Sequence, residues 1–364
     1  MEYRIHPGTG DKISVIGIGT GPVFEASEQE AVSALTYAYE HGVNYVDFAT
    51  AGAETFHYAG EAFAAVRKEM LYQIHFGANY ETGAYGWTTD LETVRRQVDW
   101  QLRKLKTDYI DYGFIHCLDS ASDWEIYQKN GILDFLQEMQ RSGVVRHIGL
   151  SSHTPALVQE ILDTGLVEQL MFSINPAYDY QHGDFANGSA GERMALYRRC
   201  EAQRVGISVM KPYSGGQLLN AAASPFGKAL SKYQCIQYAL DKPGVLTVLP
   251  GIRNLQDVKE MLGYFESSAG ERDYSVIGTF TPGDAAGACV YCNHCQPCPA
   301  GLNVGLINKY YDLAKIGDAM AADHYEKLPK HASDCIACGH CDHRCPFHVV
   351  QTKRMKEIAG YFGR

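Results

Sequence analysis

The run Cys335-Ile336-Ala337-Cys338-Gly339-His340-Cys341-Asp342-His343-Arg344-Cys345-Pro346 decides how the C-terminal part of this chain folds. Its C-x2-C-x2-C-x3-C-P spacing is that of bacterial-type [4Fe–4S] ligation. Upstream, Cys289-Val290-Tyr291-Cys292-Asn293-His294-Cys295-Gln296-Pro297-Cys298-Pro299 repeats it, with one residue fewer in the last interval. Two residues between thiolates let three sulfurs converge on one cubane, and the cysteine before proline is left to reach the other. The spacing therefore predicts a crossed arrangement. One cluster takes Cys289, Cys292, Cys295 and Cys345; the other takes Cys335, Cys338, Cys341 and Cys298. Zinc and disulfides are the competing readings. Zinc needs only two C-x2-C pairs per ion and gives no reason for further cysteines in step, each run closing on Cys-Pro.

The two runs hold eight of the eleven cysteines. The whole chain has 364 residues, 46% hydrophobic and 20% charged, with a net charge of −10. That composition fits one large domain and a small one. No basic run favours nucleic acid or an anionic membrane. No apolar run is long enough to span a bilayer. The N-terminal residues lack the pattern of a signal peptide, and thiolates that bind iron must stay reduced. The expectation is a cytoplasmic protein from an anaerobic setting.

Working back from the cysteines, Phe280–Ala288 is rich in Pro and Gly and reads as a linker. The expected organisation is a domain over 1–280, a linker over 281–288 and a ferredoxin-like domain over 289–364. Within 1–280, β-rich runs alternate with amphipathic helices. The strands are expected at Val15–Gly19, Tyr45–Ala49, Leu71–Gly77, Asp111–His116, His147–Ser151, Leu170–Asn175, Ile207–Pro212 and Val245–Pro250. Glu28–His41 and Leu91–Lys104 carry apolar residues at helical spacing. Eight strands alternating with helices predict an α/β fold of the (β/α)8 barrel type. A doubly wound sheet is the alternative, but no helix begins at Gly17-Ile18-Gly19-Thr20-Gly21. Met1–Ser14 reads as a hairpin closing the barrel bottom. Asn79–Thr89 and Tyr178–Gly191 follow strands and so belong to the C-terminal face, where barrel active sites are built.

Several of these strands resemble those of the aldo/keto reductase family. The similarity lies in Val43-Asn44-Tyr45-Val46-Asp47, Tyr109-Ile110-Asp111-Tyr112-Gly113-Phe114-Ile115-His116, Ile148-Gly149-Leu150-Ser151-Ser152-His153 and Leu249-Pro250-Gly251-Ile252-Arg253-Asn254. The cysteine tail is similar to the ferredoxin-like extension of one branch of that family. The resemblance implies a catalytic aspartate, tyrosine, lysine and histidine. Asp47 and His116 match. The tyrosine position is Gly52, and His75 stands where the lysine should be. Glycine has no proton to give, whereas carbonyl reduction needs a donor near the developing alkoxide. His75, or a loop tyrosine such as Tyr58, Tyr80 or Tyr85, is the expected substitute.

The resemblance also implies a nicotinamide cofactor, NADH or NADPH; if a dinucleotide binds, the acid at Asp257 points to NADH in preference to NADPH. Met171 and Met210 fall at the ring contacts, and Asp257 stands where an arginine would clamp a 2′-phosphate. Ser151, Ser152, Lys211, Gly215, Gly216, Arg253 and Glu260 remain as cofactor-binding candidates. Asp47, His75 and His116 are the catalytic candidates. Cys117 is expected to be a packed residue, Cys200 and Cys235 structural ones, and His294, His340 and His343 surface neighbours of the clusters.

Three functions are compatible with these residues. The first is an oxidoreductase acting on a small organic substrate at the barrel mouth. Electrons would pass through two [4Fe–4S] clusters from an external electron carrier. The second is a non-redox lyase, isomerase or hydrolase with structural or regulatory clusters. The third is an electron-transfer scaffold with no substrate. The first is the expectation carried forward.

Overall fold

The structure, a computed structural model, describes residues 1–180, 186–279, 287, 289, 291, 295–315, 321–345 and 347–364. It forms two compact units. One comprises residues 1–174, 205–213 and 246–268; the other comprises 175–204, 214–245 and 269–364. Residues 281–286 and 288 of the expected linker lie outside the described residues, as do Cys292 and His294.

Eight parallel strands make the sheet: β1 (Ile18–Gly19), β2 (Tyr45–Asp47), β3 (Leu71–Phe76), β4 (Ile110–Ile115), β5 (Val145–Ser151), β6 (Gln169–Ser173), β7 (Gly206–Met210) and β8 (Val245–Val248). They pair in sequence order, as successive right-handed crossovers require. The first and last strands also meet. Ile16 bridges Val248, Gly19 bridges Gly251, and Gly17 N–H donates to Val248 O at 2.9 Å. The sheet is therefore a barrel and not a doubly wound open sheet. The glycine pair near β1 serves this closure: a Cβ on Gly19 would lie 2.8 Å from Leu249 O, and one on Gly17 would lie 2.8 Å from Leu249 Cδ2.

Ile13, Tyr45, Tyr112, Phe114, Met171, Met210, Leu246 and Leu249 form one buried cluster of the barrel. The N-terminal hairpin pairs Tyr3–Ile5 with Lys12–Ser14 and is tied to β4 by Tyr112 OH, which donates to Asp11 Oδ2 at 2.6 Å. Helix Glu28–Glu40 begins at a capping box of Ser27 and Glu30, an arrangement worth about 1 kcal/mol. Helix Leu91–Lys104 is capped by Asp90. Gly42 and Gly165, both at positive φ, follow the helix ends expected of them.

In the second unit, the segment after β6 is fixed by a buried ion pair. Asp179 accepts from Arg193 Nε at 2.8 Å, from Tyr197 OH at 2.6 Å and from Tyr238 OH at 2.7 Å. Arg193 is fully buried, so each of its charge partners is needed to offset desolvation. Helix Val304–Lys315 packs on helix Ala190–Ala202, where Arg198 donates to Asp312 at 3.0 Å and Lys309 pairs with Glu201 at 3.0 Å. Cys200 and Cys235 are buried on helices, as expected of structural residues.

Candidate active site

Asp47 ends β2, His75 lies near the end of β3, and His116 directly follows β4. All three are buried at the strands' C-terminal ends. His75 Nε2 is 2.7 Å from Asp47 Oδ1. On the other side of its ring, His75 Nδ1 faces His116 Nδ1 at 2.9 Å, so one of the two nitrogens carries the proton between them. His116 Nε2 lies 2.7 Å from the hydroxyl of Tyr85, which is partly exposed. Four titratable groups thus form one unbroken hydrogen-bonded series from a buried carboxylate to the surface.

Gln73 fixes the inner end of this series. Its Nε2 donates to Asp47 Oδ1 at 2.9 Å and to Met171 Sδ at 3.0 Å, and its Oε1 accepts from Tyr45 OH at 2.7 Å. At the outer end, Trp87 Nε1 donates to His116 O at 3.3 Å. Burial, with smaller contributions from His75 and His153, holds the His116 pKa well below its ordinary value and keeps the ring neutral. Burial pushes the Tyr85 hydroxyl up, with Cys117 and Asp119 adding to the effect.

Tyr85 is the loop tyrosine that reaches the site. Tyr80 is buried and donates to Thr50 O at 3.0 Å, and Tyr58 lies on helix Glu54–Phe63. The loop carrying Tyr85 is held by the segment that contains Gly52. Ala53 N–H donates to Gly83 O and Tyr85 N–H donates to Ala51 O, both at 2.9 Å, and Gly52 bridges Ala84. A Cβ on Gly52 would lie 2.5 Å from Phe24 Cβ and 2.6 Å from its Cγ, so no larger side chain fits without displacement. The glycine at position 52 and the tyrosine at position 85 are two aspects of one local arrangement.

A second polar group, which the sequence reading did not assemble, lies at the same mouth. Lys211 Nζ is 2.8 Å from His153 Nε2, and His153 Nδ1 is 3.0 Å from Asp119 Oδ2. His153 N–H also donates to Asp119 Oδ1 at 2.6 Å. Cys117 Sγ lies 4.0 Å from His153 Nδ1. Cys117 and Lys211 both adopt positive φ, 47° and 53°, a strained backbone for residues with side chains. Each directly or nearly follows a strand, which is the one signal that could have marked this group in the sequence.

The cofactor-binding candidates divide. Ser151 and Ser152 are buried at the end of β5, and Ser152 OH is engaged by Asp119 Oδ1 at 3.4 Å. Met171 and Met210 belong to the barrel core. Gly215 and Gly216, at φ 63° and 92°, sit in a turn of the other unit. Arg253 and Glu260 are exposed beside helix Leu255–Leu262. Asp257 Oδ2 accepts from Arg253 N–H at 3.0 Å, which puts a carboxylate at this helix N-terminus. These residues do not fit a 2′-phosphate, because that carboxylate would repel it.

The cysteines do fit the clusters. Cys298, Cys335, Cys338 and Cys341 line one pocket, together with Pro299, Leu302 and Met355. They are the four that the crossed arrangement assigns to one cubane. His340 also borders this pocket, and its Nε2 is buried with no hydrogen-bond partner among the described residues. Of the other four, Cys289 and Cys295 are buried, Cys345 Sγ accepts from Val349 N–H at 3.4 Å, and Cys292 lies outside the described residues. His343 is exposed, as expected, and His340 is half-buried.

Comparison with known proteins agrees with the fold. Residues 15–229 match the model of the aldo/keto reductase family, and residues 285–349 match that of a 4Fe-4S dicluster domain. The chain is 24% identical over 278 residues to an uncharacterized oxidoreductase of Bacillus subtilis, covering 70% of this chain and 88% of that one. It is 23% identical over 292 residues to L-galactose dehydrogenase of Arabidopsis thaliana, covering 71% and 86%. The holo form of an aldo-keto reductase from Bacillus halodurans superposes with a TM-score of 0.61 at 20% identity, covering 75% and 94%.

Proposed function

This chain belongs to the aldo/keto reductase family and carries a 4Fe-4S dicluster domain, and we propose that it reduces a carbonyl group of a small organic substrate at the barrel mouth. The observation that carries this reading is the hydrogen-bonded series Asp47–His75–His116–Tyr85.

The series has two states that differ by one proton. In the loaded state, His75 donates from Nε2 to Asp47 and from Nδ1 to His116. His116 then holds its own proton on Nε2 and donates it to the Tyr85 oxygen. This frees the Tyr85 O–H to turn toward a substrate oxygen. In the discharged state every donor points inward: Tyr85 O–H to His116 Nε2, His116 Nδ1–H to His75 Nδ1, and His75 Nε2–H to Asp47. Passing from the first state to the second delivers one proton to the substrate and leaves no charge on Tyr85. That matters because burial and the nearby Asp119 disfavour a tyrosinate. A neutral His116 suits a ring that changes tautomer without holding charge. Asp47, His75, His116 and Tyr85 are the catalytic residues of this proposal.

When bound, the [4Fe–4S] clusters would supply electrons singly, so one carbonyl takes two electrons and two protons, one delivered to oxygen by Tyr85 and one taken up at carbon from solvent, whereas a nicotinamide would supply both electrons and the carbon-bound hydrogen as hydride. Cys289, Cys292, Cys295 and Cys345 would hold one cluster, and Cys298, Cys335, Cys338 and Cys341 the other. The carboxylate of Asp257 favours NADH over NADPH wherever a nucleotide is used. An external electron carrier, a cytoplasmic setting and a domain division at 281–288 belong to the same proposal. Among the described residues no helix is long and apolar enough to cross a membrane.

The test is an anaerobic titration of the purified protein with NADH, NADPH and a low-potential one-electron reductant. Cluster bleaching is followed together with turnover of a panel of aldehydes, ketones and dicarbonyls. Turnover driven by the one-electron reductant without nucleotide is the expected result. Turnover that needs NADH and survives removal of the clusters would refute the electron relay.

A further inference from the structure

We propose that Lys211 is a nucleophilic amine that captures a carbonyl compound at the barrel mouth as an iminium. Lys211 and His153 pass no proton in the delivery described above, although His153 and Asp119 bear on the charge of His116 and Tyr85. Its geometry is that of an amine with its own base. His153 Nδ1 is within 3.0 Å of Asp119 Oδ2, and Asp119 Oδ1 accepts the backbone N–H of His153 at 2.6 Å, so the carboxylate is fixed on one side of the ring. With Nδ1 donating to Asp119, the lone pair of His153 sits on Nε2. Lys211 Nζ lies 2.8 Å from that atom. His153 is buried, and Thr154 Oγ1 donates to Asp119 O at 2.9 Å, so the base is held by its neighbours.

The surroundings of Lys211 also favour the neutral amine. Burial lowers its pKa, although the nearby Cys117 and Asp119 work in the opposite direction. Despite burial, hydrogen bonds from His153 and Ser152 hold the Asp119 carboxyl below its ordinary value, so its charge is available to stabilise an imidazolium at His153. The backbone of Lys211 is held at φ 53° immediately after β7, a strain consistent with a side chain being aimed. The position is the C-terminal end of a barrel strand, shared with the Cys117 and Asp119 that also influence Tyr85.

The step balances without any redox partner. The Lys211 ammonium gives one proton to His153 Nε2 and becomes an amine. Its nitrogen attacks the carbonyl carbon, forming the C–N bond, and the carbonyl oxygen becomes a hydroxyl by taking the proton back from His153. The amine then gives a second proton to His153 Nε2, which passes it to the hydroxyl, and the C–O bond breaks with the oxygen leaving as water. The net change is an ammonium and a carbonyl converted to an iminium and water. The ligand class is an unhindered aldehyde or ketone.

Reductive trapping tests this on the intact, cluster-loaded protein. Glycolaldehyde and cyanoborohydride are added near neutral pH, and peptide mass spectrometry locates the secondary amine. The lowered pKa of Lys211 leaves a larger neutral fraction of it at that pH. Lys211 should therefore label measurably faster than the exposed Lys68, Lys129 and Lys356 of the same molecules. His153→Gln should slow labelling of Lys211 alone, and Lys211→Arg should abolish that adduct with circular dichroism unchanged. Labelling of Lys211 no faster than the surface lysines, or a rate indifferent to His153→Gln, would overturn the proposal. Trapping requires neither cluster electrons nor Tyr85, so its failure would leave the proposed reduction standing.

Discussion

Tyr85 is bound at both ends of its own structure: its hydroxyl meets His116 Nε2 at 2.7 Å, and its backbone N–H donates to Ala51 O at 2.9 Å, next to Gly52. The segment that holds Tyr85 is thus the one that contains Gly52.

This makes Gly52 a structural requirement and not a simple loss. A Cβ there would meet Phe24 Cβ at 2.5 Å, closer than real atoms approach. Gly52→Ala is expected to destabilise by about 1–3 kcal/mol through overpacking, and to lower activity by displacing the Tyr85 loop. Thermal unfolding of the variant measures the first effect. Phe24→Gly combined with Gly52→Ala should recover much of the stability. A Gly52→Ala protein as stable as the parent would show that Phe24 yields freely.

The neutral state of His116 has a consequence for stability. Burial holds its folded pKa well below the ordinary 6.5, so below about pH 6.5 the unfolded chain binds more protons than the folded one. This contribution is harmless above that pH and destabilising as pH falls toward the folded value. The parent should therefore lose more stability than His116→Asn between about pH 7 and pH 5.5, on the order of 1 kcal/mol per pH unit. Melting curves across this window check the sign. Equal slopes for parent and variant would mean that His116 is not held neutral.

The crossed arrangement of cysteines can be read from cluster content. Cys298→Ser and Cys338→Ser should remove the same cluster, because both residues line one pocket with Cys335 and Cys341. Iron and sulfide should each fall from about eight to about four per chain in both variants. The surviving cluster should give the same electron paramagnetic resonance signal in both. Cys345→Ser should leave the other signal. If Cys345→Ser instead removed the cluster lost in Cys338→Ser, each run would be feeding its own cubane.

Much of this architecture is legible in the sequence. The strand and helix periods give the barrel, because each element buries a face whose pattern is local. The cysteine spacing gives the clusters for the same reason, since three of the four ligands lie within one turn-sized run. Asp47, His75 and His116 are legible because barrel chemistry gathers at strand ends. Tyr85 is only one of several tyrosines on loops, and its choice depends on backbone pairing between Gly83–Tyr85 and Ala51–Ala53, which no local pattern announces. The Lys211–His153–Asp119 group is harder still. Its members come from three separate strand ends, and their identities carry no spacing. Closure of the barrel at Gly17 and Gly19 is likewise visible only once Leu249 and Pro250 are in place.

Proton donation by the proposed Tyr85 is checked by the turnover of Tyr85→Phe on a carbonyl substrate of the parent protein, with cluster content confirmed equal. In this variant kcat should fall by about 10²–10⁴ while KM changes little, as removal of a general acid requires. A Tyr85→Phe protein that keeps the parent kcat would contradict it.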